Sequence, residues 1–185
     1  MKYSIDWLKS EIKAGKTFDY IYFFGHTKDP YDVITKIYFS QWFPLGFSED
    51  GVHYNTAEHY MMAKKATLFG DTESLAKILA SETPNIAKEL GRKVKNFEAT
   101  IWEENAFAYV TQGNFLKFSQ YDNLKEFLLS TGNSVIVEAS PYDKIWGIGL
   151  AQHDNASHNP DTWKGTNLLG FAIMEARDMM LESNK

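Results

Sequence analysis

The chain of 185 residues contains no cysteine. That absence removes disulfide frameworks, thiolate metal sites and cysteine nucleophiles together, and it fits a reducing compartment, so a cytoplasmic location is the expectation. Long apolar runs are also missing. The longest, such as Leu168 to Met174 with Gly170 inside, fall far short of the ~20 residues that span a bilayer. From Met1 to Gly15, charged residues (Lys2, Asp6, Lys9, Glu11, Lys13) alternate with apolar ones where an export signal needs a continuous apolar core. A soluble chain without membrane contact is expected. Basic charge is not in excess: 19 Lys and Arg stand against 24 Asp and Glu, and the net −5 argues against a general duplex binder. A local basic pocket and a small phosphorylated ligand remain compatible with it. The histidines (His26, His53, His59, His153, His158) show neither HExxH nor another zinc spacing, and no Gly-x-Ser-x-Gly elbow marks a serine nucleophile. Neither a metal nor a cofactor is expected.

What the chain does have is a 44% hydrophobic, 23% charged composition that folds as an ordinary globular domain, and the length suits one domain spanning residues 1–185. Aromatics reach 15%, a supply that suits a pocket stacking on rings. Ile5, Trp7 and Leu8 among charges predict a short amphipathic helix closed by Gly15, a lid or brace within an N-terminal extension of residues 1–18. Tyr20 to Phe24 and Val33 to Phe39 read as strands around the turn signal Lys28-Asp-Pro-Tyr31. After a loop from Pro44 to Asn55, Thr56 caps a helix from Ala57 to about Phe69, and Asp71 caps another to Leu79. Thr83-Pro84 opens a helix stopping at Gly91. Helical patterns return over Glu98–Phe118, Asn123–Leu129 and Asn167–Leu181, and Ser134–Glu138 reads as a strand. The intervening stretch from Ala139 to Gly165 is loop, too long to be idle and too rich in Trp and Leu to be disordered. Neither a repeat nor a linker divides the chain. The fold class is mainly α with a few short strands.

The segment Thr56 to Ala66 is the most informative. At 100° per residue, Glu58, Met62, Lys65 and Phe69 share one helical stripe, with about 10.5 Å of rise between Glu58 and Lys65, so the two do not pair within the helix. A desolvated Lys65 would lose its proton more readily and act as an amine nucleophile; the alternative is a lysine snorkelling at the core edge. Asp143-Lys-Ile-Trp-Gly-Ile-Gly149 sets an acid and a Trp in a turn whose glycines let the backbone approach a ligand, or else simply holds a core Trp. It is not a dinucleotide fingerprint, because Gln152 stands where the third glycine would fall. Gly165 to Gly170 lacks the Lys-Ser/Thr ending of a P-loop, leaving only the anion affinity of a helix start.

Phe39-Ser-Gln-Trp-Phe-Pro44, the Glu58–Ala66 segment, Leu90-Gly-Arg92 with Trp102, Lys117-Phe118 with Gln120, Thr131-Gly132, Glu138-Ala-Ser140, Asp143–Gly149 and Trp163–Gly170 occur in that order. Together they resemble the YbiA-like, or NADAR, family from about Tyr22 to Leu181. The resemblance implies a mainly helical fold with few short strands and hydrolysis of N-glycosidic bonds. The implied substrates are ribosylamino-pyrimidine phosphates of riboflavin biosynthesis, or ADP-ribose on guanine, including guanine in nucleic acid. Both join a nitrogen base to a phosphorylated ribose. The family lysine matches Lys65, and Glu58, Trp102, Asp143, Trp146 and Asn167 match other pocket positions. Many members carry Ser-Asn-Phe-Tyr-Pro where this chain has Ser40-Gln-Trp-Phe-Pro44, which leaves the role of Gln41 open.

Cleavage of such a bond builds positive charge at ribose C1, which a carboxylate stabilises while an acid protonates the leaving base; Glu58 and Asp143 are the candidates. Lys65 offers a second route, a Schiff base with the opened sugar. Trp102 and Trp146 are expected to sandwich the base, Gly147 to admit the ligand, and Arg92 or the amides opening the last helix to hold phosphate. A module that binds ADP-ribose or NAD without cleaving it is the alternative class. Oligomeric state is not legible.

Overall fold

The computed structural model describes residues 1–27 and 33–183. In chain order the helices are α1 (Ile5–Lys13), α2 (Ala57–Leu68), α3 (Thr72–Leu79), α4 (Pro84–Gly91), α5 (Ala99–Ser119), α6 (Asp122–Ser130) and α7 (Leu168–Ser183). The strands are β1 (Tyr20–Phe23), β2 (Phe47–Glu49), β3 (Val52–Tyr54) and β4 (Val135–Glu138). Mainly helical with short strands is therefore the observed class. The caps act as their residue types dictate: Thr56, Asp71 and Thr83 side chains accept from the backbone N–H groups of His59, Ser74 and Ile86.

Two expectations fail. Val33–Phe39 does not form a strand. Thr35 caps a 3₁₀ turn over Lys36–Phe39, taking the N–H of Ile37, and a local side-chain bond of this kind competes with pairing to a sheet. The turn signal at 28–31 lies outside the described residues. Nor is 44–55 wholly loop, for β2 and β3 pair antiparallel as a hairpin. Its tip, Asp50-Gly51, takes positive φ at both residues (49° and 81°), the backbone that a two-residue hairpin turn requires.

β1 and β4 form a parallel pair, Tyr20 opposite Val135 and Phe23 opposite Glu138, so one end of this sheet presents Glu138. The chain between them, α2 to α6, is the crossover. α2 lies at its centre against α3, α4 and α5, and α5 packs on α7, which covers β4. Burial on nearly every side explains why α2 shows no clean amphipathic stripe: Ala57 to Ala63 and Ala66 are all buried. Contact between α7 and β4 depends on Gly170, where a Cβ would sit 2.0 Å from the Ile136 carbonyl oxygen. The N-terminal helix is a brace. Leu8 is buried, the Trp7 ring meets Phe171 edge-on at 6.5 Å, and the Tyr3 hydroxyl donates to Asp178 at 2.8 Å.

Candidate active site

The first turn of α2 reaches the end of the parallel strands. Glu58 donates its N–H to the Gln41 carbonyl at 3.0 Å, and its side chain is buried. Burial pushes the carboxyl up to about 7; Lys88, a hydrogen bond from the Trp42 indole and Arg92 act against the rise, and Asp143 adds to it. Glu138, at the end of β4, is a second buried acid. Burial pushes it up to about 8, Asp143 and Glu58 add to that, and Lys88 opposes it. Its Oε2 is buried without a hydrogen-bond partner among the described residues.

Asp143 is the third carboxyl. Its Oδ1 accepts the N–H groups of Ile145 (2.8 Å) and Trp146 (2.7 Å), which fixes the turn. Gly147 is obligatory for close approach: a Cβ there would lie 2.9 Å from the Glu138 carbonyl oxygen and 3.0 Å from that of Asp143. Asn167, at φ 54°, accepts the Glu138 N–H at 2.9 Å and donates to the Ile136 carbonyl at 2.9 Å, so its buried amide holds the Glu138 end of β4 in place. The amides opening α7 correct an expectation. Asn167, Leu168 and Leu169 donate to the carbonyls of Gly147, Ile145 and Trp146, and are thus not free to hold a phosphate. The cations at the site come from α4 instead. Gly91 lets α4 touch α2, since a Cβ there would meet the Met62 sulfur at 2.1 Å, and Lys88 and Arg92 flank that contact.

Lys65, half-buried, lies two turns further along α2. Its ammonium sits 4.0 Å from the centre of the Phe97 ring and 5.6 Å from that of Trp102, and burial lowers its pKa. Among the described residues no carboxylate forms an ion pair with it. Trp102 stacks on Tyr109 at 6.3 Å. Sequence reasoning thus placed Glu58, Asp143, Arg92 and, through its carbonyl, Gln41 in what proves one electrostatic cluster, with Trp146, Gly147 and Asn167 framing it. Lys65 of α2 and Trp102 of α5 form a neighbouring group, and the strongest influences on Glu58 come from elsewhere. Missed were Glu138, Lys88 and Trp42. Glu138 had a legible signal, a lone carboxylate closing the apolar run Val135-Ile-Val, at the strand end where α/β ligands bind. Trp42 and Lys88 had none, because they meet only when α4 and the 40–43 segment are folded together; the Lys88 ammonium lies 5.5 Å from the Trp42 ring.

Residues 22–181 match the NADAR domain family. The chain is 46% identical over 168 residues to N-glycosidase R617 of Acanthamoeba polyphaga mimivirus, covering 88% of this chain and 97% of that one. It is 30% identical over 162 residues to N-glycosidase YbiA of Escherichia coli, covering 88% and 89%. The NMR structure of E. coli YbiA superposes with a TM-score of 0.70 at 27% identity, over 91% of this chain and 89% of that one. The riboflavin biosynthesis protein PYRR of Zea mays is 31% identical over 142 residues, 72% of this chain but 21% of the maize protein.

Proposed function

Because the chain belongs to the NADAR domain family, we propose that it hydrolyses the bond between a nitrogen base and a phosphorylated ribose. The N-glycosidase names of its relatives support this reading, and the riboflavin name of the maize relative favours a ribosylamino-pyrimidine phosphate as substrate. ADP-ribose on guanine presents the same base, ribose and phosphate, and is the second substrate to test. The location proposed with this reading is the cytoplasm; none of the described helices is long and apolar enough to cross a membrane.

One observation carries the chemistry: α2 holds an acid and an amine that burial drives toward their uncharged, reactive forms. Glu58, protonated for much of its time near pH 7, gives its proton to the leaving base. Asp143 stabilises the charge that develops at C1 as the C–N bond breaks. The uncharged amine of Lys65 attacks C1 as the base departs; the resulting ring glycosylamine loses a proton from nitrogen and opens at the C1–ring oxygen bond to a Schiff base, which water hydrolyses to free the ribose phosphate and the lysine. Lys88 and Arg92 hold phosphate, Trp102 and Trp146 flank the base, and Gln41 and Gly147 shape the floor.

The test is turnover on both substrates side by side, with protein at catalytic and at stoichiometric amounts. Release of free base and ribose phosphate in many-fold excess over protein is expected for at least one. Saturable binding with no release from either would make the chain a binding module.

A further inference from the structure

Lys117 in α5 is sealed from solvent and has no part in the chemistry above. Its ammonium donates to the carbonyls of Tyr38 (2.5 Å) and Ser40 (2.8 Å), and among the described residues no carboxylate pairs with it. Burial pushes its pKa down to about 7. A buried lysine without a counter-charge is an expensive way to fill space that a methionine would fill, so what the position supplies is its donors. Those donors end on the 3₁₀ turn at the point where the site begins. Ser40 caps that turn, and its hydroxyl oxygen accepts the Trp42 N–H at 3.2 Å. The next residue, Gln41, takes the Glu58 N–H on its carbonyl, and the Trp42 side chain favours the ionised form of the Glu58 carboxyl. One turn earlier in α5, Asn114 donates to the Gln41 side chain at 3.5 Å, a second tie from the same helix to the same segment.

We propose that Lys117 is a positioning residue for Glu58, fixing the Gln41–Trp42 segment from beneath so that the Gln41 carbonyl and the Trp42 side chain keep their places against the first turn of α2. The proposal rests on the N-glycosidase reading only in treating Glu58 as the proton donor. Its test does not need a substrate. The Glu58 carboxyl is followed by ¹³C NMR against pH in the full chain and assigned with Glu58→Gln. Lys88 of α4, Arg92 at its C-cap, Glu138 of β4 and Asp143 of the following loop face this group and stay unchanged. The Trp42 side chain favours the ionised carboxylate, so its displacement raises the midpoint. Lys117→Met is expected to move it up by about one pH unit. Trp42→Phe is expected to do the same, and the double variant to add nothing further. The alkaline limb of kcat should move with it.

A lowered melting temperature with an unmoved midpoint would make Lys117 merely structural and overturn the proposal, as would fully additive shifts. If Lys117→Met fails to fold, Lys117→Gln, which keeps an amide donor, is read in its place: a smaller upward shift supports the proposal and an unmoved midpoint overturns it. A chain that cleaves neither substrate class would sink the N-glycosidase reading while this titration still decides the role of Lys117.

Discussion

The two halves of α2 meet desolvation in opposite ways. At its N-terminal turn a carboxyl is enclosed among other carboxyls, two cations and an indole, and burial raises it to about 7. Two turns on, an amine lies against Phe97 and Trp102, and the same burial lowers it. One physical cause raises the acid and lowers the amine. A helix lying at the protein's centre can supply both, because each end emerges from the core beside a different neighbour: the sheet end at one, α5 at the other. In the proposed reading, separation along a single helix divides acid and nucleophile without a second domain.

The sharpest way to break the comparison is at the acid. Glu58→Gln keeps the volume and removes the proton, and kcat is expected to fall by ~10²–10⁴-fold, the usual contribution of a positioned acid. Steady-state turnover on whichever substrate is cleaved measures it. Wild-type rates in the variant would transfer the role to Glu138, the other buried acid at the strand end. Lys65→Arg comes next. A guanidinium keeps the charge and cannot deprotonate to attack carbon, so a loss of about 10²-fold or more is expected. Borohydride added during turnover should leave a covalent mass adduct on the wild type and none on the variant. Activity retained without an adduct would reduce Lys65 to an electrostatic clamp, and water would attack C1 directly at the carboxylates.

The aromatic flank sharpens the comparison by a smaller step. Trp146→Ala should weaken substrate binding by ~1–3 kcal/mol, the worth of stacking one base, and Trp146→Phe by less, because a phenyl ring keeps part of the contact. Substrate-dependent thermal shifts of the two variants give the ratio. Equal losses would assign the half-buried ring to the core.

How much of this was legible depended on whether the signal was local. Thr56, Asp71 and Thr83 announced three helices because capping is a matter of neighbouring residues. The stripe through Glu58 and Lys65 was legible for the same reason. The Asp50-Gly51 turn was local too and was overlooked, since only three residues of strand lie on either side of it. Val33–Phe39 misled because its strand formers carry a cap in their midst: Thr35 closes a 3₁₀ turn over Lys36–Phe39 where composition alone suggests an extended strand. The pairing of Glu138 with Glu58, and the cations from α4, are long-range facts: the crossover between β1 and β4 exceeds a hundred residues, and no spacing in the sequence encodes it.

The smallest expected effect is on stability against pH, and its sign separates the two ends of α2. Glu58 titrates near 7 when folded and near 4.5 when free, so between those values the native state holds a proton that the unfolded chain has lost. Stability therefore falls as pH rises through that window, the reverse of a salt-bridged carboxylate. Glu58→Gln removes this fall. The melting temperature of the variant minus that of the wild type should grow from pH 5 to pH 7 and level off above, by a few degrees at roughly 2–4 °C per kcal/mol for a chain of this size. At Lys65 the folded amine lies below the free value of 10.5, so in the window beneath 10.5 the unfolded chain holds the extra proton and wild-type stability rises with pH. For Lys65→Met the same difference should shrink as pH climbs toward 10.5, and by less, because Lys65 is only half-buried. Two difference curves of opposite slope, read by calorimetry, are the signature of one helix desolvating an acid and a base; parallel curves would mean that one of the two groups remains solvated.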